Sequence, residues 1–346
     1  MKQKVLYFYP EAKAFVLSDK AILKTKYQVK SQALPWFNKK RLFFNFIRQF
    51  FYLLWHIRKT DKIIVAFGGY WSYLPMYFAK KYNKESYIIL HGTDTVSFPK
   101  LNYGLLRKPL LRYVIKKSYQ WATKLLPVSE SLIYTENNYY LKRKVSKQGF
   151  QHHFPKLKTP FQVVYNGLDT EFWKPVPQTT RVVNQFLAAF TESQWELKGG
   201  NLIVALAKHY PKSIFKIAGV SQGFVDKYKE SNNVFGLGFQ PKESMRILYS
   251  ESAFFLQLAI SEGFGLALAE AMLCECIPIG SQVNIIPKII GNSGYILTEK
   301  EVNPLVILVS EAKTKSNTDL GKMARMQIVK HFSLENREEN LLKAID

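Results

Sequence analysis

The stretch SEGFGLALAEAM, residues 261–272, holds two carboxylates in a setting suited to ligand chemistry. Glu262 stands just before a glycine-rich turn, and Glu270 sits inside the Ala/Leu-rich run that follows. The pattern predicts a helix starting around Gly265. The first turn of a helix leaves amide N–H groups unpaired, and its dipole favours negative charge there. Such a mouth takes anions, most often phosphate. Gly263 and Gly265 let a ligand approach the backbone closely. A carboxylate at Glu262 repels a phosphate but accepts hydrogen bonds from hydroxyls beside it. Glu270, about a turn and a half into the helix, reaches a different hydroxyl-bearing group of the same ligand. A phosphate between two polyols describes a nucleotide-sugar. The plainer reading makes Glu262 an N-terminal helix charge and Glu270 a surface residue. These residues alone leave both readings open.

The elements that must position this stretch are those of an α/β protein. Short apolar runs alternate with longer periodic segments, which predicts βα units and mostly parallel sheets. Strands are expected at 4–9, 62–67, 86–92 and 124–129, then at 162–166, 185–190, 215–220, 233–238, 253–258 and 276–281. Helices are expected at 15–26 and 321–332, among others. A polar, proline-containing stretch around 147–180 marks the boundary. Two Rossmann-like domains follow, 1–165 and 166–330, with a C-terminal helix at 331–346 that could cross back to the first. Ligands of open α/β sheets bind beyond the carboxyl ends of the strands, so the cleft between the domains is the expected site.

Composition divides the same way. Of 346 residues, 49 are Lys or Arg and 26 are Asp or Glu, and the formal charge is +23. Residues 1–165 hold 30 of the basic and 7 of the acidic ones, so the whole excess lies in the first half. That half should meet something anionic: a membrane leaflet, a nucleic acid or an acidic glycan. Cys274 and Cys276 suit neither a disulfide framework nor a four-ligand zinc site, and a reducing, cytoplasmic compartment is expected. The N-terminus has too short an apolar run for a signal peptide. No window reaches the ~18 apolar residues of a membrane span.

Two helices of the basic half carry surface information. In 43–59 the polar set Asn45, Arg48, Gln49, Tyr52, His56 and Lys59 occupies one arc, and apolar residues cover an arc about twice as wide. Either the helix is wedged between a sheet and a neighbour, or its Phe- and Trp-bearing edge dips into a bilayer interface. In 105–126, Leu110, Leu111, Val114, Ile115, Trp121 and Ala122 share one face. Lys108, Arg112, Tyr113, Lys116, Lys117, Tyr119 and Lys124 share the other. A face of one sign with tyrosines suits anionic lipid head groups, although a charged face is usually just solvated.

EGFGLALAE resembles the Glu-seven residues-Glu signature of family 4 retaining glycosyltransferases, which have the GT-B fold. The resemblance extends to NGLDTEFWKP (166–175), LKGGNLIVALA (197–207), FKIAGV (215–220), the 233–255 segment, LPVSES (126–131) and HGTD (91–94), in the expected order. It covers most of 86–300, is strong in the C-terminal half and weak before residue 60. It implies that Glu262 binds hydroxyls of the transferred sugar. Gly263, Phe264, Gly265 and Leu266 would offer backbone amides to sugar and diphosphate, and Glu270 would hold the ribose. Lys198 would stabilise the departing phosphate, and His91 would face the donor sugar across the cleft. Fixed donors would then meet the charge that develops on the leaving group. By default a lone histidine is a satisfied core residue; the HGTD register argues otherwise for His91. No Asp-x-Asp occurs in the chain, so neither a metal site nor a cofactor is expected; the nucleotide-sugar, UDP- or GDP-linked, is a substrate.

Three departures from the family pattern stand out. An Arg is usual a few residues before the phosphate Lys, but Phe190, Thr191 and Glu192 stand there. The Gly-rich loop common after the first strand is absent from YFYPEAKAF. Gly68 and Gly69, after a later strand, could line the acceptor side instead, or form a plain turn. Cys276 replaces a common Gly and reads as packing.

The expected function is retaining, metal-independent glycosyl transfer from a nucleotide-sugar to a membrane-associated glycan or lipid-linked acceptor, in surface-polysaccharide synthesis. The protein would rest on the inner face of the cell membrane, with Lys108, Arg112, Lys116 and Lys117 toward the lipid. The rivals are a sugar-nucleotide epimerase or hydrolase on the same scaffold, since fold does not settle chemistry, and a basic single-strand-binding protein. No RNA-recognition, helix-turn-helix or zinc module supports the latter, and no nucleic-acid partner is expected.

Overall fold

The structure is a computed structural model describing residues 2–140, 145–228, 230–315 and 318–346. The chain forms two compact units. The first comprises residues 1–135, 147–167 and 335–346; the second comprises 136–146 and 168–334. Residues 136–146, expected in the first domain, group with the second, where the Lys300 ammonium lies 5.6 Å from the centre of the Tyr140 ring.

The first unit is built on a parallel five-stranded sheet of β1 (Lys4–Tyr9), β2 (Gln28–Ala33), β3 (Lys62–Ala66), β4 (Glu85–Leu90) and β5 (Lys124–Pro127), in the order β2-β1-β3-β4-β5. The central strands β1, β3 and β4 are continuous apolar runs because helices cover both faces. Edge strand β2, QVKSQA, is half exposed and polar, so no apolar run announces it. The expected strand at 162–166 is not one. Its backbone follows the β5 edge through Gln162 N–H to Leu125 O and Val164 N–H to Pro127 O, and only Phe161 forms a bridge. Pro127, the last residue of β5, has no N–H to donate to this segment, so the ladder is interrupted there.

Helix α1 (Ala14–Lys26) joins β1 to β2; α2 (Leu42–His56), α3 (Tyr70–Lys81) and α4 (Pro109–Trp121) make the remaining crossovers. Right-handed crossovers put α1 on one face and the other three side by side on the opposite face. Accordingly, α3 packs between α2 and α4. The C-terminal Leu334–Ile345 helix is fixed by Arg337, which donates two hydrogen bonds to the Asp19 carboxylate at 2.9 and 3.0 Å and further ones to Val164 O and Tyr165 O. Removing one partner of a buried pair of this kind costs roughly 3–5 kcal/mol.

The second unit has a parallel six-stranded sheet of β6 (Val182–Ala189), β7 (Ile214–Ala218), β8 (Val234–Gly238), β9 (Ser252–Gln257), β10 (Ile277–Ser281) and β11 (Tyr295–Leu297), in the order β8-β7-β6-β9-β10-β11. Its core is aromatic at the centre, where Phe186 stacks on Phe215 and Phe254 at 4.8 and 4.9 Å. Strand order reverses between β6 and β9. The crevice beyond their carboxyl ends is where such sheets bind ligands.

Candidate active site

The loops that leave β6 and β9 hold Lys198 and Glu262, and the fold brings the two together. Lys198 Nζ donates to Glu262 Oε2 at 2.5 Å, and both side chains are largely buried. Gln257, the last residue of β9, donates to the same oxygen at 2.6 Å. The Glu262 N–H donates to Asn284 Oδ1 at 3.0 Å, so the residue is held at both its backbone and its carboxylate. The two loops are sewn by Ile260 N–H to Leu197 O, at 2.8 Å. Gly199 makes this approach possible: its φ is +79°, and an added Cβ would lie 2.6 Å from Leu258 O.

The helix expected around Gly265 is Leu266–Leu273. Gly265, in the left-handed conformation with φ 90°, turns the chain into it, and no side chain among the described residues caps it. Phe264 points its ring inward, edge-on to Phe332 at 5.5 Å. The 263–266 segment therefore presents backbone rather than side chain. Glu270 lies half-buried on the same helix and accepts a hydrogen bond from the Tyr249 hydroxyl at 3.2 Å. Burial pushes its carboxyl up to about 7, against the pull of the Tyr249 hydroxyl and the Lys242 charge. It is not the freely solvated surface residue of the plainer reading.

This is a lysine–carboxylate pair at an uncapped helix mouth, where Gly263 N–H donates to Glu262 Oε1 at 3.1 Å, with a second acid deeper in. Residues 194–326, which contain all of it except the strand before, match the family model described as glycosyl transferases group 1. The match covers the segment that carries the pair and the helix mouth. Among curated proteins, the chain is 28 % identical over 101 residues to the O-antigen chain mannosyltransferase B of Escherichia coli, a match covering 29 % of this chain and 26 % of that one. It is 22 % identical over 163 residues to one component of the phosphatidylinositol N-acetylglucosaminyltransferase of Arabidopsis thaliana, covering 43 % and 36 %. The matches thus span about a quarter to a third of those relatives' lengths. Among solved structures, a sucrose-phosphate synthase from Thermosynechococcus elongatus aligns over 99 % of this chain and 98 % of its own with TM-score 0.76 and 14 % identity. HepE of Anabaena in complex with UDP aligns over 99 % of both chains with TM-score 0.71 and 14 % identity. The fold is GT-B.

No cation stands where the resembled family usually has an arginine. Phe190 is buried beside Trp195, and Glu192 accepts from both the hydroxyl and the N–H of Ser221, which hold its carboxyl below the ordinary range. Cys276 is fully buried with its thiol on Tyr249 O; burial pushes it up to about 12, so it packs rather than reacts. Gln257 and Asn284 are site residues that sequence reasoning misses. A glutamine closing the otherwise apolar AFFLQ strand is the available signal for the first. The second holds φ 53°, which its sequence context does not betray.

The residues singled out in the first unit have separate surroundings. His91 follows β4 and lies between the rings of Phe15 and Phe67, at 4.7 and 4.5 Å. Neither ring nitrogen has a hydrogen-bond partner among the described residues. Burial, aided by the Arg337 and Lys13 charges, holds His91 well below its ordinary value, so it is neutral at pH 7. It is a buried ring without the partners a satisfied core histidine would have. The glycines of GGY are tied into their own unit. Gly68 N–H donates to the buried Asp94 carboxylate at 2.8 Å, Gly69 N–H donates to Ser72 Oγ at 3.0 Å, and a Cβ on Gly68 would lie 2.8 Å from the Tyr119 ring. Asp94, the last residue of HGTD, also accepts from Gly92 N–H and the Tyr119 hydroxyl. The flanking Phe67 and Trp71 do line a cavity of about 140 Å³, with Glu11, Lys13 and Phe37, beyond the ends of β1, β3 and β4.

On α4 the expected faces need three corrections. Tyr119 is fully buried because its hydroxyl reaches Asp94, and Leu110 is exposed in the first turn. Lys124 is on β5 rather than the helix, donating to Ala344 O. Lys108, Arg112 and Lys116 are exposed, and Lys117 is half-buried with its ammonium 5.8 Å from the centre of the Tyr113 ring.

Proposed function

We propose that the protein transfers a sugar from a nucleotide-sugar to a glycan or lipid-linked acceptor presented at a membrane, with retention of configuration and without a metal. The observation that carries this reading is the Lys198–Glu262 pair at the β6/β9 reversal, ahead of an uncapped helix. The donor's diphosphate sits on the amides of Gly263, Phe264, Gly265 and Leu266. Its sugar hydroxyls take over the Glu262 oxygens, and Glu270 accepts from the ribose. Lys198, released from Glu262 when the donor binds, is on the phosphate oxygens before the glycosidic bond breaks. Aimed in advance at developing charge, it needs no reorganisation at that moment. The leaving oxygen assists removal of the acceptor's proton, so no separate enzymic base is needed. Neutral His91 serves as a hydrogen-bonding group for the donor sugar rather than as an acid. The solved complexes of HepE with UDP and with UDP-glucose support a diphosphate donor of this kind. Basic α4, with Lys108, Arg112, Lys116 and Lys117, faces anionic lipid on the cytoplasmic side.

Product analysis tests the reading. A panel of UDP- and GDP-sugars is incubated with and without a lipid-linked glycan acceptor. Transfer that requires the acceptor is expected; donor hydrolysis or epimerisation without it would replace the proposal with the rival chemistry.

A further inference from the structure

Helix α2 is built inside out. Asn45 and Gln49 point inward and are buried, donating to Pro35 O at 3.2 Å and to Trp71 O at 3.0 Å. Phe43, Phe44, Ile47, Phe51, Leu54 and Trp55 point outward. Their exposure is large: 70 % for Phe43, 68 % for Phe44, 63 % for Phe51 and 78 % for Trp55. Phe43, Ile47, Phe51 and Leu54 form one ridge along successive turns, with Phe44 and Trp55 beside it. A soluble surface rarely leaves so many large apolar side chains contiguous, and such patches mark interaction sites. Nothing in the described part of this unit covers the ridge, although the opposite side of the helix packs on α3.

The surroundings of the ridge say what would cover it. At the C-terminal end of α2 a cavity of about 190 Å³ is lined by Lys4, Lys30 and Lys59, with Trp55 and His56 at its side. Arg41, Arg48 and Arg58 are exposed on or next to the helix. Across α3, the exposed face of α4 carries Lys108, Arg112 and Lys116 with Leu110 and Tyr113. The apolar ridge is therefore edged by positive charge. A second copy docking through a two-fold axis would bring these like charges together. An anionic lipid surface instead satisfies both parts at once. The helix has 15 residues and so a length of roughly 22 Å, short of the ~30 Å hydrocarbon core. No helix among the described residues is long and apolar enough to cross a membrane.

We propose that α2 lies flat in the surface of an anionic phospholipid bilayer, its aromatic ridge below the head groups and the Lys4/Lys30/Lys59 cavity on a lipid phosphate. This rests on the membrane part of the proposed function and deepens it by naming the inserting element. It also sets a path for the acceptor: Phe37, just before α2, is edge-on to Trp71 at 5.7 Å, and both line the cavity beyond β1 and β3.

The test is co-sedimentation of the full chain with vesicles of phosphatidylcholine alone and of phosphatidylcholine with phosphatidylglycerol. Wild type should bind the second far better. Phe51→Asp with Trp55→Asp should weaken binding by roughly 100-fold, from the loss of two large apolar insertions. Lys30→Glu with Lys59→Glu should remove the preference for phosphatidylglycerol. Circular dichroism of each variant checks folding. Brominated lipids should quench wild-type tryptophan emission, and Trp55→Phe should bind equally well but lose that quenching. If wild type binds and the ridge variant binds as tightly, while Lys108→Glu with Lys116→Glu releases it, insertion of α2 is overturned and a purely electrostatic surface contact survives. If wild type binds neither vesicle, the membrane reading itself falls, while acceptor-dependent transfer is judged separately. A dimer in sedimentation velocity that Phe51→Asp with Trp55→Asp dissolves would assign the ridge to a second copy and overturn the proposal.

Discussion

The two units share a sheet architecture and differ in what stands beyond the carboxyl ends of their strands. In the C-terminal unit the crevice between β6 and β9 holds a charged pair, an uncapped helix mouth and a half-buried acid. In the N-terminal unit the corresponding crevice between β1 and β3 is lined by the rings of Phe37, Phe67 and Trp71 together with Glu11 and Lys13, with a neutral histidine nearby. Topology decides where a ligand can bind. The side chains that arrive there decide which kind; under the proposed function that is an anionic, polyhydroxylated donor in one unit and an acceptor with apolar faces in the other. The outer surfaces follow a similar division, since residues 1–165 carry the whole charge excess and α2, in the N-terminal unit, carries the exposed aromatic ridge.

The contrast breaks most decisively at the charged pair. Lys198→Ala and Glu262→Ala should each lower transfer by about 10²–10³-fold, the usual effect of losing a group aimed at developing charge. Thermal melting should show both variants folded. Unchanged turnover in either would remove that residue from the chemistry.

Asp94 tests whether the N-terminal crevice is scaffold at its base. It accepts hydrogen bonds from Gly68, Gly92 and Tyr119, all buried. Asp94→Ala strands those donors and should cost about 3 kcal/mol in urea unfolding. A cost within about 0.5 kcal/mol, ordinary for a surface change, would show that the loops do not depend on it.

Glu270 sharpens the contrast through pH. Its folded carboxyl is raised by burial from 4.5 to about 7. Between those values the unfolded chain has released the proton and the folded one still holds it, so Glu270 lowers stability progressively as pH rises through this window. Above about 7 the penalty is complete, and the carboxylate is ready to accept from a hydroxyl. Glu270→Gln should therefore melt higher than wild type at about pH 8, equal to it near pH 4, and bind a UDP- or GDP-sugar more weakly in calorimetry.

His91 gives the smallest effect, with the opposite slope. Its folded value lies well below 6.5, so the unfolded chain takes up a proton first as pH falls, and stability drops below about pH 6.5. His91→Phe should flatten the fall in melting temperature between about pH 6.5 and 5. A proton resonance titrating near 6.5 in folded wild type would contradict a neutral, buried ring.

Much of this can be read directly. Continuous apolar runs such as KIIVA and SAFFLQ are central parallel strands, and the glycine-framed EGFG is a loop into a helix. Strand β2 is not legible, because a polar edge strand pairs through its backbone and carries no apolar signature. The α4 faces mislead at Tyr119, whose buried hydroxyl has a partner, Asp94, 25 residues earlier. The arc count on α2 separates its apolar side from its polar side correctly. It cannot say which side faces out, since a helical wheel has no information about the neighbour.

Residue order by itself determined the alternation of strands and helices, the charge asymmetry and the place of the carboxylates relative to the glycines, because these depend on local propensity and spacing. Tertiary structure alone decided that Lys198 meets Glu262 across 64 positions, that burial raises Glu270, and that an apolar ridge is left bare. The reason is physical: hydrogen bonds, desolvation and exposure are set by which groups are neighbours in space, and those neighbours come from distant parts of the chain.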